Sequence, residues 1–182
     1  VHPQKGIKDA LHLAYELRKA GCAVKLLLVG AIQSPEYMEE ITCTARELGL
    51  DDVLDRQAMI SQADLARLYQ EYDICFFPSH YRHGLSRVPL EAMASGCLVI
   101  SYGNEGSSEI IRDHETGFLV SEGDLFSAAA LIAELVRSPA KFKSITQRAR
   151  EWVEREHAFD AYLDKVETYL KESLPDRSQA DS

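Results

Sequence analysis

Hydrophobic and polar positions along the chain alternate between two periods. Ile7, Ala10, Leu11, Ala14 and Leu17 recur at helical spacing, and Gly21 closes that segment. Residues 23–29 form a short apolar run ending at Gly30, which predicts a buried strand. Ser34 before Pro35 predicts a helix start, serine as the cap and proline in the first position, running to about Leu48. A weaker strand is expected over 52–56. Ser61 caps a helix with Leu65, Leu68, Tyr69 and Tyr72 on one face. Strands are expected over 73–77, 97–101 and 117–120, and helices over 88–95 and 107–112. Asp124 caps a helix carrying Leu125, Ala128, Ile132 and Leu135, and two more helices are expected over 139–156 and 160–171.

Short apolar strands alternating with helices predict an α/β fold: a doubly wound, Rossmann-like, mostly parallel sheet with helices on both faces. The expected organisation is a Rossmann-like domain over 1–138, a C-terminal helical extension over 139–172 and a polar, fraying tail over 173–182. In such sheets ligands sit at the C-terminal ends of the strands. That directs attention to the loops after Val29, Phe77 and Ile100.

Composition narrows the function classes. Hydrophobic residues make up 46% and charged residues 27%, an ordinary globular balance rather than a disordered one. A net charge of −9 argues against non-specific binding to nucleic acid or anionic membrane, but backbone N–H groups can still hold an anionic ligand. No apolar run reaches membrane-spanning length and no signal peptide is visible. The chain does not begin with Met, so the true start of the gene product is expected to lie upstream or to be processed. Cys22, Cys43, Cys75 and Cys97 form no C-x-x-C pair, and three lie in or beside apolar segments. They read as reduced, buried thiols rather than zinc ligands or a disulfide.

The loop after Phe77 runs Pro78-Ser79-His80-Tyr81-Arg82-His83-Gly84-Leu85-Ser86-Arg87 into the helix that carries Glu91. Gly84 permits close backbone approach to a ligand, and a helix start presents free N–H groups to an anion. Glu91, one turn in, can reach back to accept from ribose hydroxyls, or it simply complements the helix dipole. The loop after Ile100 repeats the design, with Gly103 and Gly106 before Ser107. His80 and His83 are spaced like a metal pair, but no carboxylate or thiol partner stands nearby in sequence, so no metal site is expected. Walker, G-x-G-x-x-G and G-x-S-x-G patterns are absent, which weakens ATPase, dinucleotide and hydrolase readings. A flavodoxin-like signalling domain would need an acidic cluster at the strand ends, and none follows Val29 or Phe77.

The segment from Phe77-Pro78-Ser79 through Leu90-Glu91-Ala92-Met93-Ala94-Ser95-Gly96 to Val99-Ile100 resembles the donor-site signature of the retaining GT-B glycosyltransferases, the glycosyl transferases group 1 family. Glu109-Ile110-Ile111, Glu115-Thr116-Gly117-Phe118-Leu119-Val120, Lys5-Gly6, Leu28-Val29-Gly30 and Leu65-Ala66-Arg67-Leu68-Tyr69 with Asp73 match further blocks in order. The resemblance implies the C-terminal, donor-binding half of a GT-B enzyme. Such an enzyme moves a sugar from a UDP-sugar or GDP-sugar to a glycan or lipid-linked acceptor, hexosyltransferase-like, without a catalytic metal or other cofactor. It implies diphosphate contacts from Lys5 and from the backbone of Gly84, Leu85, Ser86, Arg87 and Val88, ribose contacts from Glu91, and Arg56 near the base.

Two departures stand out. The family spaces two glutamates with seven residues between them; Glu91 is the second, and His83 stands where the first would be. His83 and Glu91 are therefore the candidate catalytic pair, with His83 facing the donor sugar. The family also places a central strand ending in Gly-Arg just before the segment matching Val1–Gly6, and an acceptor-binding domain before that. The chain is expected to be a fragment of a longer enzyme, or half of a split one, and inactive alone. Its C-terminal helices are expected to pack on the absent domain. A cytoplasmic place is implied, with any contact at the inner membrane face made through that domain. The alternative is a non-catalytic nucleotide-binding or scaffolding module derived from the same fold.

Overall fold

A computed structural model of the chain describes residues 2–173; of the tail expected over 173–182, Ser173 ends the last helix and the rest lies outside the described residues. A 3-10 turn over Pro3–Lys5 leads into α1 (Ile7–Lys19), β1 (Leu26–Val29), α2 (Pro35–Glu47), β2 (Leu54–Gln57), α3 (Gln62–Glu71) and β3 (Ile74–Phe77). Then follow α4 (Val88–Ala94), β4 (Leu98–Ser101), α5 (Ser107–Ile110), β5 (Phe118–Leu119), α6 (Leu125–Val136), α7 (Pro139–Glu156) and α8 (Phe159–Ser173). Every element expected from the pattern is present. The strands are shorter than their apolar runs, because a strand ends where its neighbour stops pairing.

Local chemistry sets the helix starts. Ser34, Ser61 and Asp124 each accept from the backbone N–H three residues on, at Tyr37, Asp64 and Ser127. Gly6 opens α1 in the left-handed region at φ 67°, and a Cβ there would collide with the Pro78 carbonyl. The chain therefore crosses directly against the end of β3.

All pairings between strands are parallel. Leu26 lies opposite Leu54 in β1–β2, while β3, β4 and β5 pair in that order, Ile74 opposite Leu98 and Ile100 opposite Phe118. The expected sheet is thus present in two pieces, since no ladder joins β1 to β3. Between them runs an apolar groove of about 440 Å³ lined by Leu13, Leu17, Val24, Leu26, Ile74 and Phe76 among others.

β4 is buried on both faces, and its alternation shows why helices cover both sides. Leu98 and Ile100 join a cluster with Leu13 and Leu17 of α1 and Ala128, Ile132 and Leu135 of α6. Cys97 and Val99 face Ala92 and Met93 of α4 and Ala149 and Val153 of α7. A third cluster joins Leu11 and Ala14 of α1 to Tyr37, Met38 and Ile41 of α2. Burial of each such large side chain stabilises by about 1.5–3 kcal/mol.

The sequence reads α7 as an extension, but it belongs to this core. Ile145, Ala149 and Val153 are buried, the Trp152 indole donates to the Ile110 carbonyl at 2.9 Å, and the Arg112 guanidinium stacks 3.6 Å over the Trp152 ring. α8 has no buried residue and leaves Phe159, Tyr162 and Tyr169 exposed.

The thiols are all free. Cys97 is buried, and desolvation pushes the Cys75 thiol up to about 12. Cys43 departs from the buried reading: it is exposed on α2.

Candidate functional site

The C-terminal ends of β3 and β4 gather the loops singled out by the sequence. Ser79 is fully buried; its hydroxyl accepts from the Tyr81 N–H at 3.2 Å and its carbonyl accepts from the Asn104 amide at 2.7 Å. The two loops are thereby tied together. Two backbone bonds repeat the tie: Glu105 N–H to the Tyr81 carbonyl at 3.1 Å, and Ser86 N–H to the Glu105 carbonyl at 3.0 Å. Beneath them the Ser101 and Ser107 hydroxyls meet at 2.7 Å.

Lys5 enters from the N-terminal turn, which is anchored here because the His80 N–H donates to the Gln4 carbonyl at 2.8 Å. Its Nζ lies 2.7 and 2.9 Å from the two carboxylate oxygens of Glu105 and 5.1 Å from the centre of the Tyr81 ring. Glu105 is the less exposed partner, its side chain 11% accessible against 43% for Lys5. It is also one of two described non-glycine residues with positive φ, at 50°. Strained backbone of this kind persists where the surroundings over-determine it.

Gly84 to Arg87 form an open turn. Gly84, Leu85 and Arg87 are exposed and Ser86 is half-buried, its hydroxyl accepting weakly from the Val88 N–H at 3.4 Å. α4 begins at Val88, as expected, with Arg87 preceding the first helical residue and Pro89 in the first turn. Glu91 points back along this turn, 4.0 Å from the Arg87 guanidinium. With Arg87 81% exposed, that pair contributes little, since screened surface pairs are worth about 1 kcal/mol or less. His83 is exposed and makes no hydrogen bond or ion pair among the described residues. Arg56 lies on β2, in the other part of the sheet, and no described contact links its side chain to the loop that carries Gly84.

His80 gains from the fold the carboxylate partners that its neighbours in sequence do not supply. Its ring is flanked by two carboxylates from distant segments: Nδ1 lies 2.7 Å from Glu122 and Nε2 lies 3.2 Å from Asp9. A doubly protonated ring can donate on both sides. The His80 bond, helped by the Asn104 amide and Arg82, holds the Glu122 carboxyl below the usual range. The Tyr102 hydroxyl donates to Asp9 at 2.8 Å, and burial, reinforced by that bond, pushes its own titration upward. Beside this network a hollow of about 410 Å³ opens between α1 and α2, bounded by Gly6, Lys8, Asp9, Ser34, Tyr37 and His80 among others. Among the described residues no group of three His, Cys, Asp or Glu side chains converges as a metal site. Asp9, Glu105 and Glu122 are the residues of the candidate site that sequence reasoning missed. The one local signal was a carboxylate set between two loop glycines at Glu105.

This arrangement, two strand-end loops locked together with a lysine delivered against them, comes with a match to a known family. Residues 1–152 match the family described as glycosyl transferases group 1. The chain belongs to the glycosyl transferases group 1 family. Among curated proteins, this family member is 27% identical over 173 residues to the capsular polysaccharide biosynthesis glycosyltransferase CapM of Staphylococcus aureus, covering 93% of the chain and 44% of CapM. It is 28% identical over 149 residues to the MMP alpha-(1->4)-mannosyltransferase of Mycolicibacterium hassiacum, covering 81% and 35%. The chain thus spans less than half the length of these relatives. Among solved structures, the C-terminal domain of a glycosyl transferase group 1 protein, LpcC of Francisella tularensis, superposes with a TM-score of 0.78 at 23% identity, covering 87% of this chain and 83% of that one. HepE of Anabaena, solved with UDP-glucose, gives 0.76 at 22% identity, covering 94% and 46%. These structural likenesses establish the GT-B fold. No described helix of this group 1 chain is long and apolar enough to cross a membrane.

Proposed function

We propose that the chain is the donor-binding half of a retaining glycosyltransferase that takes a sugar from a nucleoside diphosphate sugar. The observation that carries this reading is the placement of Lys5 against the two strand-end loops. One residue, Glu105, holds the Lys5 ammonium with its side chain and the Ser86 N–H with its carbonyl. A cation and a turn rich in backbone donors therefore share one small region, the combination a diphosphate requires. In this reading Lys5 and the backbone from Gly84 to Val88 hold the diphosphate, through the N–H groups of Gly84, Leu85 and Arg87, those of Ser86 and Val88 being bonded within the loops; Glu91 accepts from the ribose, and His83 meets the sugar. Stabilisation of the departing diphosphate by such cations and N–H groups is the chain's contribution to the chemistry. No metal is needed for that step.

The HepE complexes with UDP and UDP-glucose support a UDP-sugar donor, and CapM, a capsular polysaccharide biosynthesis glycosyltransferase, supports a glycan acceptor. The acceptor site is assigned to a further domain, in keeping with the 44% of CapM that the chain covers. The groove between β1 and β3 supports a further central strand, because parallel β-α-β crossovers place a strand before α1. The cytoplasm is the assigned place.

Thermal unfolding of the intact protein with UDP, GDP, ADP and their sugars tests the donor reading. At a hundredfold excess over Kd, one of them raises Tm by about 5 °C or more. No shift with any of them refutes the reading. His83 is the second test, since it sits exposed and unpartnered on the turn. His83→Ala lowers discrimination between donor sugars more than it lowers nucleotide affinity. An equal loss of affinity for the bare nucleotide counts against a sugar-facing role.

A further inference from the structure

We infer that Glu105 is an internal competitor for the phosphate site: its carboxylate occupies the anion position at Lys5 and must be displaced when a diphosphate binds. The inference rests on the donor-site reading above. Lys5 Nζ faces both oxygens of Glu105, at 2.7 and 2.9 Å, so the carboxylate is gripped by both oxygens as an anionic ligand would be. Glu105 comes from the β4–α5 loop, 100 residues away in sequence, and is held in place by its backbone at both ends: its N–H by Tyr81 and its carbonyl by Ser86. The side chain is 11% exposed, so its charge is poorly served by water when the lysine turns to another anion. A diphosphate at Lys5 also brings negative charge close to that carboxylate. Both effects make the empty site more stable relative to the loaded one. The φ of 50° adds that this residue is kept in a conformation that glycine adopts more readily. Glu105 thereby sets how tightly the site grips a diphosphate and keeps Lys5 ordered when the site is empty.

The test is calorimetric binding of UDP, GDP and inorganic pyrophosphate to the full chain, its Glu105→Gln and Lys5→Ala variants and the double variant. Glutamine preserves size and backbone strain and removes the charge. Glu105→Gln is expected to tighten binding about three- to tenfold for all ligands that bind, pyrophosphate included. Lys5→Ala weakens binding, and in its background Glu105→Gln tightens it less than in the wild type, because only the repulsion between carboxylate and diphosphate is left to relieve. Far-UV circular dichroism and thermal unfolding of each variant serve as the control for folding. If Glu105→Gln leaves affinity unchanged or weakens it while Lys5→Ala still weakens it, Glu105 is a structural brace and the inference is wrong, with the donor site intact. If the wild-type protein and every variant fail to bind all three ligands, the donor reading itself fails and takes the inference with it.

Discussion

Gly6→Ala is expected to destabilise the protein by about 3 kcal/mol or more, a large part of the stability of a domain this size. Two effects add. Gly6 is left-handed at φ 67°, which costs any L-residue about 1–2 kcal/mol. The new Cβ also meets a backbone carbonyl, that of Pro78, which cannot swing aside as a flexible side chain would. Relief requires the N-terminal turn to move off the end of β3, and with it Lys5. Gly49→Ala separates the two contributions, because Gly49 is left-handed at φ 64° with nothing within 4 Å of its Cβ position. That variant should cost about 1–2 kcal/mol in denaturant unfolding. Equal losses at the two positions would mean that the contact with Pro78 is unimportant.

Truncation after Ser138 is expected to abolish cooperative unfolding, whereas truncation after Ala158 should shift Tm by only a few degrees. The first cut removes Ile145, Ala149 and Val153 from the core, uncovers Ala92, Met93 and Val99, and leaves the Ile110 carbonyl without the Trp152 indole. Burial of the large side chains alone amounts to about 5 kcal/mol, as much as many whole domains retain. The second cut removes α8, which has no buried residue. Circular dichroism and calorimetry of the two products check both statements. A folded, cooperative 1–138 product would show that α7 is dispensable.

The contrast marks what the sequence could reveal. Helix caps were legible, because Ser34, Ser61 and Asp124 bond to an N–H only three residues away. The buried strand β4 was legible from its unbroken apolar run. The loop from Ser79 to Val88 was legible as a candidate site because helix starts at strand ends obey general geometry. Long-range pairs were not. Nothing local tells that Glu105 meets a lysine 100 residues away, or that Asp9 and Glu122 flank His80. The docking of α7 was hidden for the same reason: an amphipathic helix announces an apolar face, not the surface that receives it. Arg56, read as near the base, stands on β2, where the ladder to β1 fixes it and no described contact carries it to the loop beside Lys5.

The divided sheet has a consequence for how the molecule opens. β1, β2 and α2 meet the β3–β5 body chiefly through α1, which sends Leu11 and Ala14 to one cluster and Leu13 and Leu17 to another. With no ladder between β1 and β3, the two portions share a helix but no backbone network. Such portions behave as separate foldons with their own opening free energies. Amides of β1 and β2 then exchange with solvent through partial openings that leave β4 closed. By itself this chain has a ladder of stabilities rather than one value, which a strand seated in the groove would draw together, and the turn that presents Lys5, at the head of α1, stands at the joint between its rungs.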